Sequence, residues 1–422
     1  MNERYSERMR DLLGEEFSAY EVCLSGAPVR GIRINTLKLT PEAFRAVSPF
    51  SLEPVPWEAS GFYIEEEKPG KCPYHDAGLF YVQEPSAMCA APLLKARPGE
   101  RVLDLCSAPG GKGTQLAQAM DGQGLLVLNE KMPDRARILL QNVERMGVAN
   151  AVVISADPAA LAARFEGYFD KILVDAPCSG EGMLRKEPAA ASEWSEGKVR
   201  MCADRQAKIL DSASRMLAPG GALVYSTCTF SREEDEDNAS RFCAGHPDFA
   251  LKEQIKLYPH RVRGEGHFAA RFVRAQGERM RIRPAKLPVD RRAAEAWRRF
   301  AADFLLKLPQ GELFSFGDSL CLVPEGLFSL DGLKVLRPGL CLGTYRGGRF
   351  EPAHALALGL PRANFTRVVD CSDEEIARYL RGEELSAQGN GWCVVAYRGW
   401  PVGLGKLSGG RLKNHYPKGL RR

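Results

Sequence analysis

The spacing of apolar residues along the chain is most regular in its middle part. Between 101 and 275, short apolar runs rich in Val, Leu and Ile alternate with longer segments of helical periodicity. This alternation indicates repeated strand–helix–strand units around a buried, mostly parallel, doubly wound sheet. The pattern predicts strands and one intervening helix at the following positions: 101–105, 125–129, 151–155, 171–174 and 222–226 for the strands, and 134–143 for the helix.

The two flanks of this region have a different pattern. The first part of the chain has an extended stretch at 31–37, followed by loop-rich sequence with many Pro and Gly. After 273, a basic linker precedes a helix at about 293–306, and a Gly-punctuated, β-rich remainder follows. A chain of 422 residues is long enough for several domains. We predict four of them, at 1–85, 86–278, 279–365 and 366–422.

Composition indicates an ordinary globular protein. Apolar residues make up 45% of the chain and charged residues 26%, which argues against large-scale disorder. No apolar run approaches the roughly 20 residues that span a bilayer. The charged amino terminus, residues 1–5, lacks the apolar core of a secretory signal. We therefore expect a cytoplasmic protein that does not contact membranes.

That location decides how the twelve cysteines are interpreted. In a reducing compartment they are free thiols, metal ligands or catalytic groups rather than disulfides. None forms a C-x-x-C pair and there are only six histidines, so we expect no metal site. Most of the twelve should be small buried apolar residues, and one or two can be reactive.

Basic charge is concentrated in two segments of a chain whose net charge is +5. The stretch 281–300 has seven basic and two acidic residues, and 398–422 has seven basic residues and no acid. Clusters of this kind are typical of a protein that binds a phosphate-rich partner such as RNA. Solvated helix faces and a soluble tail account for them about equally well.

A glycine-rich loop follows the first strand of the predicted sheet, with the sequence DLCSAPGGKG from Asp104 to Gly113. Such a turn lets a ligand approach the backbone and the amide groups of the next helix. The dinucleotide fingerprint GxGxxG is absent, and Cys106 stands where a phosphate-binding P-loop needs glycine. The remaining candidate is a zwitterionic ligand such as S-adenosylmethionine.

Acidic residues at successive strand ends support this ligand. Glu130 ends the second strand, where a carboxylate can bind both hydroxyls of a ribose. Asp157 follows the third strand, within reach of an adenine amino group, and Asp175 ends the fourth. Each alone could be a helix cap or turn residue. Together with the glycine-rich loop, they predict a cofactor crevice at the carboxyl edge of the sheet.

Two cysteines follow the fourth and fifth strands. Cys178 lies in the turn DAPCSG and Cys228 in the turn STCTF, after which Ser231 and Glu234 predict a capping box at a helix start. In a sheet of this class the two strands are neighbours, about 4.8 Å apart. Core packing is the usual role of a single cysteine. Two that face one crevice favour chemistry.

The chemistry that needs such a thiol is methylation of cytosine at carbon 5. That carbon is too weakly nucleophilic until a thiolate adds to carbon 6. An acid near ring N3 must then neutralise the developing charge, and Asp175 is well placed for it. A second thiol can help release the product. The turn Ala176–Pro177–Cys178 also resembles the loop of amino-group methyltransferases, but no aromatic residue follows the proline.

These segments together resemble the Nol/Nop/Sun family of RNA cytosine-5 methyltransferases. The resemblance covers about residues 20–275 and rests on DLCSAPGGK, DAPCSG, STCTFSREEDEDN and the upstream YVQEPSAM at 81–88. It implies a Rossmann-like class I methyltransferase core, with Cys228 as nucleophile and Cys178 assisting product release. It also implies that S-adenosylmethionine contacts Cys106, Ser107, Ala108, Pro109, Gly110, Gly111, Lys112, Glu130, Asp157 and Asp175. Some family members carry another residue at Cys106, which favours a packing role there.

The carboxyl-terminal segments GWPVGLGK and RLKNHYPKGLR resemble the PUA-like RNA-binding module of the bacterial branch that acts on 16S ribosomal RNA. The amino-terminal unit resembles the small α+β, RRM-like domain of that branch. The resemblance implies methylation of 16S rRNA within the small ribosomal subunit. We also expect the protein to be a monomer. A tRNA methyltransferase and a non-catalytic assembly factor with a methyltransferase fold remain as alternatives. A methyltransferase for small molecules or proteins leaves the basic segments unexplained.

Overall fold

The computed structural model describes residues 3–186, 194–278 and 285–422. The start of the predicted basic linker and the first basic residues of 281–300 lie outside this part of the chain. Within it, no helix is long and apolar enough to cross a membrane.

The amino-terminal part is a small α+β unit. Its strands form an antiparallel sheet in the order β2-β3-β1-β4. Strand β1 covers only the first four residues of the extended stretch predicted at 31–37. Thr40 caps helix α3 by accepting a hydrogen bond from the Ala43 N–H at 3.2 Å. Its elements are α1 (Glu3–Leu13), α2 (Phe17–Leu24), β1 (Gly31–Ile34), α3 (Pro41–Val47), β2 (Glu53–Pro54), β3 (Gly61–Tyr63), α4 (Pro73–Asp76) and β4 (Phe80–Val82).

The central part alternates strands and helices, as the apolar pattern predicts. Each predicted strand is present within a few residues of its expected bounds, and the predicted helix at 134–143 is observed as α7. The elements are α5 (Ala90–Leu94), β5 (Arg101–Asp104), α6 (Gly111–Ala119), β6 (Leu125–Asn129), α7 (Pro133–Arg145), β7 (Ala151–Ile154), α8 (Pro158–Ala162), β8 (Phe169–Asp175), α9 (Glu196–Met216), β9 (Leu217–Thr227), α10 (Glu236–Gly245), β10 (Phe249–Leu257) and β11 (His267–Arg274).

The carboxyl-terminal part contains two further sheets, so the predicted β-rich remainder is confirmed. Its elements are α11 (Arg291–Phe304), β12 (Glu312–Phe316), β13 (Ser319–Val323), β14 (Val335–Arg337), β15 (Leu340–Arg346), β16 (Arg349–Pro352), α12 (His354–Gly359), β17 (Val368–Cys371), α13 (Asp373–Arg381), β18 (Leu385–Ser386), β19 (Gly391–Tyr397), β20 (Trp400–Ser408) and β21 (Arg411–Asn414). The sheet orders are β12-β13-β15-β16 and β17-β19-β20-β21-β18.

The large central sheet has the order β10-β11-β9-β8-β5-β6-β7-β14. Strands β5 to β9 are parallel, which confirms the predicted Rossmann-like core, and their apolar residues are buried on both faces. At the edges, β11 and β14 run antiparallel to the core strands, and β10 pairs antiparallel with β11. Strand β14 comes from the segment predicted as an intermediate domain, so that segment completes the sheet beside β7.

The first and last parts of the chain share a hydrophobic core. Apolar side chains of β1, α3 and β4 pack in one cluster with those of α13, β19 and β20. The rings of Tyr74 and Tyr397 lie 5.3 Å apart, and the Tyr416 hydroxyl donates to the Asp76 carboxylate at 3.3 Å. The amino-terminal unit and the PUA-like unit therefore form one continuous body beside the central sheet.

The predicted capping box at Ser231 and Glu234 is wrong. Helix α10 begins only at Glu236, and Asp235 precedes it without a capping hydrogen bond from its side chain. The Ser231 hydroxyl donates instead to Glu181 at 2.6 Å, and Glu234 accepts the Ser179 N–H at 3.0 Å. Both side chains serve tertiary contacts around the cysteine turns.

Candidate active site

The two cysteine turns meet at the carboxyl edge of the sheet. Strands β8 and β9 are parallel neighbours, with Asp175 opposite Ser226. This register places the Cys178 and Cys228 sulfurs 3.2 Å apart. The turns are joined behind the thiols, where the hydroxyls of Ser179 and Thr229 are 2.8 Å apart. The prediction that the two thiols lie close together is therefore confirmed.

The glycine-rich loop has a backbone that only small residues allow. Gly110 has φ of +114°, a conformation that side chains rarely adopt, and precedes helix α6. At Gly113, an added Cβ would lie 2.6 Å from the Ser107 hydroxyl and 2.8 Å from Leu128. The first turn of helix α6 therefore packs tightly against the preceding loop and the sheet.

A cleft of about 810 Å³ opens beside this loop and extends to the two cysteines. Its size is that of a site for a nucleoside-sized ligand. Its lining includes these predicted residues: Cys106, Ala108, Glu130, Asp157, Asp175, Cys178 and Cys228. Ser107, Pro109, Gly110 and Gly111 shape the loop that carries Cys106 and Ala108, and Lys112 lines a second cavity.

Two acids in the cleft have different surroundings. The buried Glu130 accepts the Met132 N–H at 2.8 Å and lies 3.3 Å from Arg135. Asp157 caps helix α8 and pairs with Lys131 at 2.7 Å. The hydrogen bond from Lys131 lowers the pKa of Asp157. Lys131 and Arg135 also line the cleft, although the sequence analysis singled out neither.

Cys106 lies on the cleft wall among apolar side chains. Burial, reinforced by the charges of Asp104 and Asp175, raises the pKa of its thiol. A thiol held protonated in this way packs and does not attack, which agrees with the packing role expected from the resemblance.

A second, smaller cavity of about 170 Å³ adjoins the cleft. The two spaces share Asp175, Ala176 and Cys228 in their linings. The smaller one is otherwise lined by the following residues: Glu84, Ala87, Lys112, Gly182, Met183, Glu265, Gly266 and His267. Cys228 thus borders both spaces, whereas Cys178 lines the larger cleft.

Lys112 and Asp175 form an ion pair at 2.8 Å on the wall of the smaller cavity. Burial disfavours both charges, but their attraction outweighs it, so the pKa of Lys112 is raised and that of Asp175 is lowered. The Ser226 hydroxyl also donates to Asp175 at 2.8 Å. The lowered pKa favours the ionised carboxylate of Asp175, and the raised pKa favours the ammonium of Lys112. Of this pair, Lys112 is therefore the better proton donor.

The two thiols are hydrogen-bonded to each other. The hydrogen bond with Cys228, followed by burial, raises the pKa of Cys178 well above its ordinary value. A protonated Cys178 thiol can donate to the Cys228 sulfur.

The chemistry of the cleft suits S-adenosylmethionine. It combines a glycine-rich loop, the buried Glu130 carboxylate and apolar walls that include Ile209 and Pro158. Among the described residues, no group of His, Cys, Asp and Glu side chains could hold a metal ion.

Two residues near the thiols have roles that the sequence did not predict: Glu234, which was expected in a capping box, and His267. Glu234 accepts hydrogen bonds from the Ser179 N–H and from Gln206, which fixes the turn that carries Cys178. His267 lines the smaller cavity. In the sequence, each of these two residues is recognisable only as a polar residue next to an apolar strand. That pattern occurs throughout the chain and does not identify a site residue.

Models of known families match almost the whole chain. The model described as 16S rRNA methyltransferase RsmB/F matches residues 91–273, and the N-terminal domain model of 16S rRNA methyltransferase RsmF matches 1–85. The first C-terminal domain model of RsmF rRNA methyltransferase matches 299–360, and the methyltransferase RsmF PUA domain model matches 366–422.

Individual relatives agree with these matches. Ribosomal RNA small subunit methyltransferase F from Shewanella sp. (strain MR-7) is 32% identical over 93% of this chain and 90% of its own length. The protein of the same name from Escherichia coli O127:H6 has the same identity and coverage. The crystal structure of a methyltransferase homolog protein from Pyrococcus horikoshii has a TM-score of 0.59 and 28% identity, covering 65% of this chain and 95% of its own.

The resemblance to the Nol/Nop/Sun family is thereby confirmed, and so are the methyltransferase core, the amino-terminal domain and the PUA domain. The chain belongs to the RsmB/F family of methyltransferases, in the branch of the small subunit methyltransferase F proteins.

Proposed function

We propose that this protein methylates carbon 5 of cytosine in 16S ribosomal RNA through a covalent bond between Cys228 and the base. The observation that carries the proposal is the position of Cys228. Its side chain lies 3.2 Å from a second thiol and borders both the large cleft and the small cavity. A base in the small cavity and a methyl donor in the cleft would therefore meet at this residue.

S-adenosylmethionine, when bound in the cleft, supplies an electrophilic methyl group on its sulfonium. The residues that would hold it are the loop from Cys106 to Lys112, with Glu130, Asp157 and Asp175. In the proposed reaction, the Cys228 thiolate adds to carbon 6, and the displaced electron pair moves through the ring toward N3. Carbon 5 thereby becomes nucleophilic.

The ion pair of Lys112 and Asp175 supports the charge transfer in this step. The ammonium can donate a hydrogen bond to the ring edge that gains negative charge, and the Asp175 carboxylate can accept one from the exocyclic amino group. After carbon 5 is methylated, its proton passes to a water molecule that acts as base. The electron pair of that C–H bond re-forms the C5–C6 double bond, the bond between carbon 6 and sulfur breaks, and its electron pair returns to Cys228 as thiolate. The protonated Cys178 thiol beside Cys228 is placed to assist that release.

The substrate class rests on the relatives and on the surface of the PUA-like unit. The two relatives are named for the small subunit ribosomal RNA. In the hairpin β20–β21, Lys406 and Lys413 are directly opposed on the exposed face, and Arg411 lies on the same face. Opposed like charges destabilise a hairpin, so this face favours a polyanionic partner. We further propose that the protein acts in the cytoplasm, as a monomer, on RNA of the small subunit.

The target base has to leave its stack to enter the small cavity. Extrusion costs a few kcal/mol and is cheapest for an unpaired base, so we expect a loop or single-stranded cytosine as target.

The experiment measures methyl transfer from labelled S-adenosylmethionine to 16S rRNA, small subunits and tRNA, followed by nucleoside analysis. We expect 5-methylcytosine in 16S rRNA from the wild type and none from Cys228→Ala, which should still bind S-adenosylmethionine in calorimetry. Cys243→Ala is the matched control, because Cys243 packs against the core away from the cleft. Full activity of Cys228→Ala would refute the covalent mechanism. Methylation of tRNA alone would refute 16S rRNA as the substrate. If the wild type does not bind S-adenosylmethionine, a non-catalytic assembly factor is favoured.

A further inference from the structure

His267 is a buried polar residue in the smaller cavity that the mechanism above does not use. It is the first residue of β11, and its neighbour Phe268 pairs with Thr227, the residue before Cys228. The residue is 2% exposed and lines the cavity beside Lys112, Asp175 and Cys228. The strand register therefore brings an imidazole to the place where the proposed base would lie.

Neither ring nitrogen of His267 has a hydrogen-bond partner among the described residues. Nε2 lies 3.9 Å from Oδ1 of Asp175, which is too far for a hydrogen bond. Buried polar atoms are almost always satisfied, because an unmade hydrogen bond in the interior is unfavourable. Unpartnered nitrogens on a cavity wall therefore indicate a group that arrives with a ligand.

The imidazole is neutral. Burial and, after it, the nearby Lys112 charge lower the pKa of His267 to about 3, against the attraction of Asp175. A neutral imidazole offers one N–H donor and one acceptor. It can therefore donate to an oxygen or a ring nitrogen of a ligand without changing the net charge of the cavity.

The backbone that leads into His267 is held in place by the segment 81–88, which the sequence analysis used only for the family resemblance. The Glu265 N–H donates to Glu84 at 2.9 Å, and the Gly266 N–H donates to the Ser86 hydroxyl at 3.0 Å. Gly266 has φ of +105°, and a Cβ there would lie 2.4 Å from the Phe230 ring. The two hydrogen bonds and the close packing of Gly266 on Phe230 fix the backbone before His267, and with it the direction of the His267 side chain.

A buried ion pair adds to this support. The Arg185 guanidinium donates to Glu265 at 2.7 Å, and both side chains are nearly inaccessible. The second Glu265 carboxylate oxygen accepts the Val29 N–H at 2.7 Å. The residues before His267 are thus held from three parts of the chain, as a preorganised binding group requires.

We propose that His267 binds the target pyrimidine directly, by donating a hydrogen bond to an acceptor atom on its polar edge. The three polar groups of the cavity would then divide that edge between them. The Asp175 carboxylate matches the amino group, while Lys112 and His267 match the acceptors N3 and O2. Electron density at both acceptors rises when the thiolate adds to carbon 6, so the hydrogen bond strengthens in the step that forms the adduct.

This inference rests on the proposed function, and its test has a separate readout. RNA that contains 5-fluorocytosine at the target forms a trapped adduct, because carbon 5 then carries no proton to lose. The rate of adduct formation is measured on denaturing gels for the wild type, His267→Phe and His267→Gln, with S-adenosylmethionine affinity measured in parallel. His246→Phe is the control, since His246 lies against Asp211 and Phe242, away from the cavity.

We expect His267→Phe to slow adduct formation about 10- to 100-fold while cofactor affinity stays within twofold of the wild type. His267→Gln keeps an amide donor near the position of Nε2 and should recover most of that rate. An unchanged rate in His267→Phe would overturn the inference. Equal loss in both variants, together with a lower melting temperature, would assign His267 a structural role instead. A wild type that forms no adduct would refute the proposed function itself.

Discussion

Lys112→Met removes the ammonium that faces Asp175 at 2.8 Å. Two unit charges at this distance attract by about 6 kcal/mol at an effective dielectric constant of about 20. The side chains are 10% and 32% exposed, so desolvation offsets part of that attraction in the native pair. Removing one partner of such a pair destabilises a protein by about 3–5 kcal/mol, because the other charge stays behind without its counterion. We expect a loss of that size for Lys112→Met.

Urea unfolding of the wild type, Lys112→Met, Asp175→Asn and the double variant measures this effect. The double variant leaves no uncompensated charge, so it should be at least about 2 kcal/mol more stable than Lys112→Met. Its methyl transfer should nevertheless remain at least about 100-fold below the wild type, because both groups at the base edge are gone. Strictly additive losses of stability, or a Lys112→Met variant within about 1 kcal/mol of the wild type, would refute the buried pair.

Three further predictions concern other parts of the structure. Burial raises the pKa of Asp104 to about 7. The folded protein therefore keeps a proton on this carboxyl that the unfolded chain releases above about pH 4. The free energy of unfolding consequently falls as the pH rises toward and through 7. The stability of Asp104→Asn relative to the wild type should therefore improve by about 2–3 kcal/mol between pH 5 and pH 8 in calorimetry, and a constant difference would contradict this assignment. Gly266→Ala puts a methyl group against the Phe230 ring at a residue with positive φ. The melting temperature should therefore fall by several degrees, and the rate of methyl transfer should fall at least about tenfold. Wild-type values for both quantities would contradict the close packing of Gly266 on Phe230. Tyr74→Ala removes a buried ring packed on Tyr397, so limited proteolysis should release the PUA-like unit faster than in the wild type, and unchanged cleavage would argue against the shared core.

Elements of the central sheet were predictable because their signal is local. Strand β6 occupies 125–129 as expected, since a continuous apolar run bounded by Gly124 and a strand-end carboxylate has few other solutions. The approach of Cys178 to Cys228 was predictable for a related reason. Once the strand order of a doubly wound sheet is assumed, two turns at the ends of neighbouring parallel strands have to meet.

Other features depend on contacts between distant segments, which no local pattern contains. Strand β14 joins the central sheet by pairing with β7, and the core shared by the amino-terminal and PUA-like units joins residues more than 300 positions apart. The capping box failed for the same reason. Ser231 and Glu234 have the correct spacing, but their side chains bind Glu181 and Ser179 instead of a helix end.

In the site, too, local features were predictable and contacts between distant residues were not. Cys106, Glu130 and Asp157 were expected around a cofactor and do line the cleft. The ionised state of Asp175 depends on Lys112, which lies 63 positions away in the chain, and could not be inferred from spacing. His267 has no motif in the sequence, and a single histidine at the start of a strand is usually a core residue.

In the proposed mechanism, Cys228 attacks the base and Cys178 assists its release. The most direct measurement incubates Cys178→Ala with its RNA substrate and S-adenosylmethionine, digests the adduct that resists denaturation, and identifies the nucleotide-bearing peptide by mass spectrometry. We expect an adduct to accumulate in which the methylated cytosine is attached to Cys228. Attachment at another residue, or an active Cys178→Ala enzyme that forms no adduct, would contradict it.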